Sequence, residues 1–384
     1  MNCHSLMCRI KRCRVFLLAV LVIAAARDAS SEEAERVDVY TSGKDGYFGY
    51  RIPAIECLPN GRLLAFAEAR KYNLSDPGWP DQDIDLVCKI SEDGGRTWSE
   101  QILIEDPGEK WSAANPATIY DSVTGRLWLL YLRTKPGCSS RTSRPGTDDA
   151  LTLVRYSDDG GRQWSEAIDL TPIARDMADP HWRISVVGPG GAVQLKKSSR
   201  LVAPVWKSEP YGVFTLYSDD HGKTWHRGTL VPGDHQGNEN QLAELPDGRL
   251  LVDIRQEKGP HRWMALSANG GQGWSEPRPA IRVNPVACAI ESVIVNRGTQ
   301  QQHVLVWTGP RGPGRVDLLL RLSVDEGQTF AAEWPLYIGP AAYSDLTVLP
   351  DGSLGTLWER GTEHPYQFIS FTRIPAANLA EKLP

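Results

Sequence analysis

What the 384 residues lack narrows the fold before any motif is read. Helical periodicity is almost absent, which excludes bundles, coiled coils and doubly wound α/β folds. Past residue 26 no long apolar run occurs, so the body of the chain offers no candidate membrane-spanning helix. Strong net charge is missing too: 42 basic residues oppose 47 acidic ones for a formal −5, which excludes a general attraction to nucleic acid or anionic lipid. Cysteine is scarce, and Cys57, Cys88, Cys138 and Cys288 are far apart in no metal-ligand spacing, so no structural zinc site is expected. Those four permit three disulfide pairings or four buried thiols, and both readings stay open. Low-complexity sequence is also absent. With 41% hydrophobic and 23% charged residues, the composition is that of a globular protein with a sizeable core.

The first thirty residues read differently from the rest. Arg9, Lys11, Arg12 and Arg14 precede an apolar run from Val15 to Ala26, and small residues follow to Ser31. A charged start, a short apolar centre and a small-residue exit describe a secretory signal peptide over 1–29, carrying away Cys3, Cys8 and Cys13. The expectation is export to the periplasm or medium, or to a lysosomal or other endomembrane lumen in a eukaryote. Residues 30–384 are then a single domain.

One short pattern punctuates that domain five times, at Ser91–Trp98, Ser157–Trp164, Ser218–Trp225, Ser267–Trp274 and Ser323–Phe330. Successive starts are 66, 61, 49 and 56 residues apart, enough in each case for four strands and their loops. The third position is Asp or Asn, which can bond nearby amides; the fifth is Gly, free to take positive φ. The closing aromatic is suited to wedging between neighbouring units. Five copies exclude a chance turn, and the spacing is not that of an EF-hand. Strand-like runs lie between them, among them Arg62–Ala67, Arg126–Tyr131, Arg200–Val205, Arg249–Ile254 and Leu354–Trp358, each after a turn signal. The mature length divided by six matches the repeat, so the sequence predicts an all-β fold, a six-bladed β-propeller.

These repeats resemble the Asp boxes of the sialidase (neuraminidase) family, and Gly49–Pro53, reading Gly-Tyr-Arg-Ile-Pro, resembles the motif that opens sialidase domains. The resemblance runs from about Val39 to Phe371, with its parts in order. It implies that Arg51, Arg255 and Arg321 grip the carboxylate of a sialic acid. Glu359 would brace Arg51, and Arg70 would contact the sugar near its C4 substituent. Tyr343 would be the nucleophile, Glu239 its partner base and Asp76 the general acid. No cofactor or metal is implied. The implied activity is retaining exo-α-sialidase action on oligosaccharides, glycoproteins and gangliosides by a monomer whose partners are sialylated glycans.

The residue types suit that chemistry. A carboxylate on the anomeric carbon favours guanidinium groups, which stay charged and bind it in bidentate fashion. Three clustered arginines repel one another unless acids lie behind them. An anionic nucleophile would be repelled by the same carboxylate, whereas a neutral phenol is not; it then needs an adjacent base. Tyrosine nucleophiles in sialidases are a known exception to the two-carboxylate pattern of glycosidases.

Several positions have competitors. Arg311 and Arg315 compete with Arg321 but sit in a Gly/Pro-rich loop, whereas Arg321, like Arg255, lies in an apolar strand where a cation needs a partner. Asp81, Asp83 and Asp85 compete with Asp76. Asn73-Leu-Ser75 is a glycosylation sequon, and a glycan there would obstruct the pocket, so either it stays unmodified or another acid serves. Trp79, Trp111, Trp182 and Trp206 are candidate pocket walls. Competing functions are a non-catalytic glycan-binding propeller, a glycosidase for a related ulosonic acid, and a transglycosylase.

Overall fold

Each Asp-box pattern folds into the same hydrogen-bonded turn. In the first, the Ser91 hydroxyl donates to Asp93 and accepts from the Gly95 amide, while Asp93 Oδ1 accepts from the amides of Arg96 and Thr97. The serine–glycine bond recurs at Gly161, Gly222, Gly271 and Gly327. Every box joins the third and fourth strands of one antiparallel unit.

The computed structural model describes residues 35–383, which fall in one compact unit; the expected leader lies outside the described residues. The strand ladders divide into six four-stranded units. The first comprises Gly49–Cys57, Leu63–Arg70, Ile84–Ser91 and Ile102–Glu105; the second Ser112–Asp121, Arg126–Thr134, Ala150–Ser157 and Ile168–Asp169. In the third, the innermost strand is split into Ile184–Val187 and Val193–Gln194, both paired with Leu201–Ser208, and Gly212–Ser218 and His226–Arg227 follow. The fourth is Gly237–Glu244, Leu250–Gln256, His261–Ser267 and Arg278–Arg282. The fifth is Ala289–Arg297, Gln300–Pro310, Val316–Ser323 and the first part of the long strand Ala332–Val348. The second part of that strand opens the sixth unit, followed by Leu354–Arg360 and Phe368–Ile374. Its fourth strand is Arg36–Thr41, from the other end of the chain.

The innermost strands touch their neighbours all the way round, and the strand starting at Gly49 meets the one ending at Val348, so the units close a ring. The apolar cores sit at the seams. One joins Tyr40, Ile369 and Phe371 of the sixth unit to Leu63 and Ala65 of the first; another joins Phe66 and Leu86 of the first to Leu129 and Leu153 of the second. The box tryptophans wedge there: Trp98 lies 5.6 Å from Phe371, Trp164 6.0 Å from Phe66 and Trp225 6.0 Å from Trp128, each reaching the preceding unit. Cys57, Cys88, Cys138 and Cys288 are all free thiols, two of them buried. No helix among the described residues is long and apolar enough to cross a membrane.

Candidate active site

Because the strands of each unit alternate in direction, every first and third strand begins, and every second strand ends, on the face opposite the Asp boxes. The residues of interest lie at those points. Arg51 and Ile52 open the first strand of unit one, Glu239 that of unit four and Tyr343 that of unit six; Glu68 and Arg70, Arg255, and Glu359 close second strands.

The inner strands do not run straight here. Their register slips between Arg51 and Ala54, Ala114 and Ala117, Gly237 and Asn240, and Ala341 and Ser344. Such bulges re-aim side chains, and these turn Arg51, Asn115, Glu239 and Tyr343 toward one cavity of about 600 Å³. Two bulges hold non-glycine residues at positive φ, Ile52 at 59° and Asn115 at 55°. The β-branched Ile52 is strained there by about 1–3 kcal/mol, Asn115 tolerates the region better, and a buried carboxylate holds the backbone in both cases. Ile52 N donates to Glu359 Oε1 at 2.9 Å, and Asn115 N donates to Glu68 Oε1 at 3.0 Å.

Glu359 is fully buried and organises one side of the cavity. It accepts from Arg51 Nε at 2.7 Å, Arg51 Nη2 at 3.3 Å and Tyr343 N at 3.1 Å. Burial works to lower the Arg51 pKa, but Glu359 and the phenols of Tyr366 and Tyr343 outweigh it and hold the guanidinium charged. Tyr343, 5% exposed, donates to Glu239 at 2.7 Å and 2.9 Å and accepts from Arg255 Nη1 at 2.8 Å. Arg255 also pairs with Glu239. Burial pushes the phenol well above its ordinary pKa; Arg255 pulls it down, Glu239 pushes it up, and Arg315 and Arg51 pull it down again.

Seven of the eight expected site residues therefore line one cavity or brace its wall: Arg51, Arg70, Asp76, Glu239, Arg255 and Tyr343 line it, and Glu359 stands behind Arg51. The eighth does not. Arg321 lies at the Asp-box end of its strand, paired with Glu333 at 2.9 Å and 5.2 Å from the Trp307 ring, beside a separate smaller cavity. Six residues of extended chain, about 20 Å, separate it from the position that faces the site. Arg315 holds that position. Its guanidinium bonds the Tyr366 hydroxyl at 2.5 Å and stands 5.2 Å from the Tyr343 ring, and the Arg51 guanidinium lies 5.1 Å and 4.2 Å from the Tyr343 and Tyr366 rings. The need of Arg321 for a partner is met by Glu333 instead.

Among the competing acids only Asp76 lines the cavity, with its side chain 73% exposed. Asp83 and Asp85 are buried against Lys71, and Asp85 also accepts from the Tyr47 hydroxyl. Trp79 and Trp206 are wall residues, whereas Trp182 belongs to a seam core. Glu68, Asn115, Asn238 and Tyr366 also line the cavity and escaped the sequence reading. Asn115-Pro116 stands where Ile52-Pro53 stands one unit earlier, a parallel that the repeat register makes visible.

The site can hold an anion between Arg51, Arg255 and Arg315 and offers a phenol with a carboxylate as proton acceptor. Among the described residues no group of three His, Cys, Asp or Glu side chains is placed to bind a metal.

The BNR repeat-like domain model matches residues 61–356. A sialidase of Micromonospora viridifaciens is 32% identical over 85% of this chain and 52% of its own length. A Bacteroides fragilis sialidase is 26% identical over 85% of this chain and 63% of its own length, so the chain spans about half to two thirds of these bacterial relatives. It spans 88% of the Bos taurus Sialidase-3, at 26% identity over 84% of this chain. Among solved structures, the Hadza microbial sialidase Hz136 superposes with a TM-score of 0.78 at 23% identity, covering 88% of this chain and 68% of that one.

Proposed function

The chain belongs to the BNR-repeat sialidase family, and from that premise we propose that it is an exo-α-sialidase that releases terminal sialic acid with retention of configuration. The observation that carries the reading is the Tyr343 hydroxyl, bonded to both Glu239 and Arg255 in a cavity whose walls also hold Arg51 and Arg315. Arg51, Arg255 and Arg315 take the substrate carboxylate. Glu239 accepts the phenolic proton as Tyr343 attacks the anomeric carbon, and the arginines favour the phenolate that burial alone would oppose. Asp76, exposed at the mouth, protonates the departing oxygen and later activates water. The basic start and apolar run that open the sequence support export, and the protein then acts as a monomer on sialylated glycans.

Residues 30–384 assayed with an aryl α-sialoside test this directly. The parent should turn the substrate over, and Tyr343→Phe should lose at least about 10³-fold in kcat, within the range lost when a covalent nucleophile is removed. A folded parent inert on every sialoside tried would overturn the reading.

A further inference from the structure

Asp76 does little to hold itself in place. Its carboxylate has one close cationic neighbour, Arg70 Nη1 at 3.5 Å, and is otherwise open to solvent. What fixes it is the backbone just before it. Arg70 is fully buried, and its Nη1 donates to the carbonyls of Leu74 at 2.5 Å and Ser75 at 3.0 Å. Its Nε and Nη2 are held by Glu68 Oε2 at 3.1 Å and 2.6 Å. Four of its five N–H groups are thereby occupied inside the protein. A second clamp closes from the far end of the loop: buried Gln82 donates to Ser75 O at 2.7 Å and to Asn73 O at 3.0 Å. Asn73, the sequon asparagine, bonds Ser75 N and Asp81 O with its own side chain, so its amide already serves the loop. Gly78 N meets Ser112 Oγ at 3.3 Å, and a Cβ on Gly78 would strike the Cys138 carbonyl 2.2 Å away.

We propose that Arg70, backed by Glu68 and assisted by Gln82, is a positioning residue for the general acid: it fixes the height of the loop at Leu74–Ser75 so that the Asp76 carboxyl meets the glycosidic oxygen. This goes beyond a contact between Arg70 and the sugar, and it rests on the reading of Asp76 as the acid. The chemistry gives the two roles different signatures. A poor leaving group, such as the sugar of sialyllactose, needs a proton as it departs; a low-pKa phenol does not. Loss of a sugar contact weakens both substrates and free sialic acid alike, whereas a displaced acid affects only the substrate that needs the proton.

The test uses kcat and KM for sialyllactose and for an activated aryl sialoside, with calorimetric affinity for free N-acetylneuraminate, in Gln82→Ala, Arg70→Lys and Asp76→Asn. Gln82 does not line the cavity, so Gln82→Ala should lower kcat on sialyllactose by roughly ten- to hundredfold, a fraction of what general acid catalysis supplies. Its aryl sialoside rate, sialic acid affinity and melting temperature should stay near those of the parent. Arg70→Lys should lose at least about tenfold more on sialyllactose than on the aryl substrate, as half of the clamp opens. Equal losses on both substrates with weakened sialic acid binding in Arg70→Lys, or no selective loss in Gln82→Ala, would overturn the proposal. If Asp76→Asn itself shows no dependence on leaving group, the acid assignment fails and the proposal falls with it. Parent inactivity on both substrates would instead sink the sialidase reading.

Discussion

A guanidinium in a protein interior must find its partners within reach, and the two arginines that bracket the strand Val316–Ser323 find different ones. Arg315 stands at the strand's start with Tyr343, Tyr366 and Arg51 around it, and Arg321 near its end with Glu333 and Trp307. Burial lowers the Arg315 pKa, but the two phenols raise it more, and the residue stays cationic beside Arg51. Two like charges so close favour an anion between them. Arg315→Ala should therefore lower kcat/KM on any sialoside by about 10²–10³-fold, the usual cost of losing one charged hydrogen-bonding partner of a desolvated anion. Arg321→Ala should leave kcat/KM within about threefold, since it frees only a Glu333 that is already half exposed. Steady-state assays of the two variants decide between the positions. The reverse ranking would return the carboxylate clamp to Arg321.

Among the elements, the Asp box shows how local chemistry builds a long-range seam. Its fifth residue takes positive φ and lies against another strand: at Gly95, with φ of 93°, a Cβ would sit 2.0 Å from Phe371 Cε1. Gly46 has a similar φ of 85° with nothing within 4 Å. The two share the cost of an alanine at positive φ, so their difference isolates packing at the seam. Gly95→Ala should be less stable than Gly46→Ala by about 2 kcal/mol or more, read from denaturant unfolding; equal values would mean that Phe371 moves aside freely. The boxes were readable because each is complete within eight residues. Why there are five of them and six units was not. The sixth box is missing because the last unit takes its fourth strand, Arg36–Thr41, from the chain's beginning, so no hairpin joins its third and fourth strands. Tyr343, Glu239, Arg255, Arg51 and Glu359 were legible through motifs that keep residue type and neighbours together. Arg315 was not, because its Gly/Pro-rich surroundings say loop, and only strand direction shows that this loop ends on the site. Glu68 and Gln82 left no trace either: Gln82 bonds backbone carbonyls, and Glu68 bonds Arg70 and the Asn115 amide, pairings that no motif displays.

Across the whole molecule, the six innermost strands converge on a shared set of polar groups. Asp345 of the sixth unit accepts from Ile55 N of the first at 2.8 Å and from Gln241 of the fourth at 2.9 Å, and its carboxylate lies against Gly190 of the third and accepts from the Gly191 amide. Glu56 of the first unit and Glu291 of the fifth add two carboxyls that interact with it, while Thr118 of the second bonds Glu56 and Lys196 of the third faces Glu291. Burial pushes all three acids up, Asp345 to about 7, Glu291 to about 7 and Glu56 to about 8, and repulsion from neighbouring carboxyls adds to it at Glu291 and Glu56. The folded state then holds more protons than the unfolded chain wherever pH lies between the ordinary carboxyl range and these values. Their contribution is complete below about pH 4 and is lost as pH rises through 7 to 8. The opposite sign belongs to the box aspartates. Hydrogen bonds from Thr97 hold Asp93 down at about 2 and those from Thr224 hold Asp220 there, so their contribution is lost only as pH falls toward that value. The two windows meet at a stability maximum well on the acid side of neutrality, near about pH 4. The melting temperature should accordingly fall from pH 5 to pH 8, and Glu56→Gln, which keeps the shape and removes the titration, should flatten that fall. A melting temperature that instead rises over this interval in the parent would mean that the ring tolerates three ionised carboxylates where its inner strands meet, and the protonated centre would have to be given up.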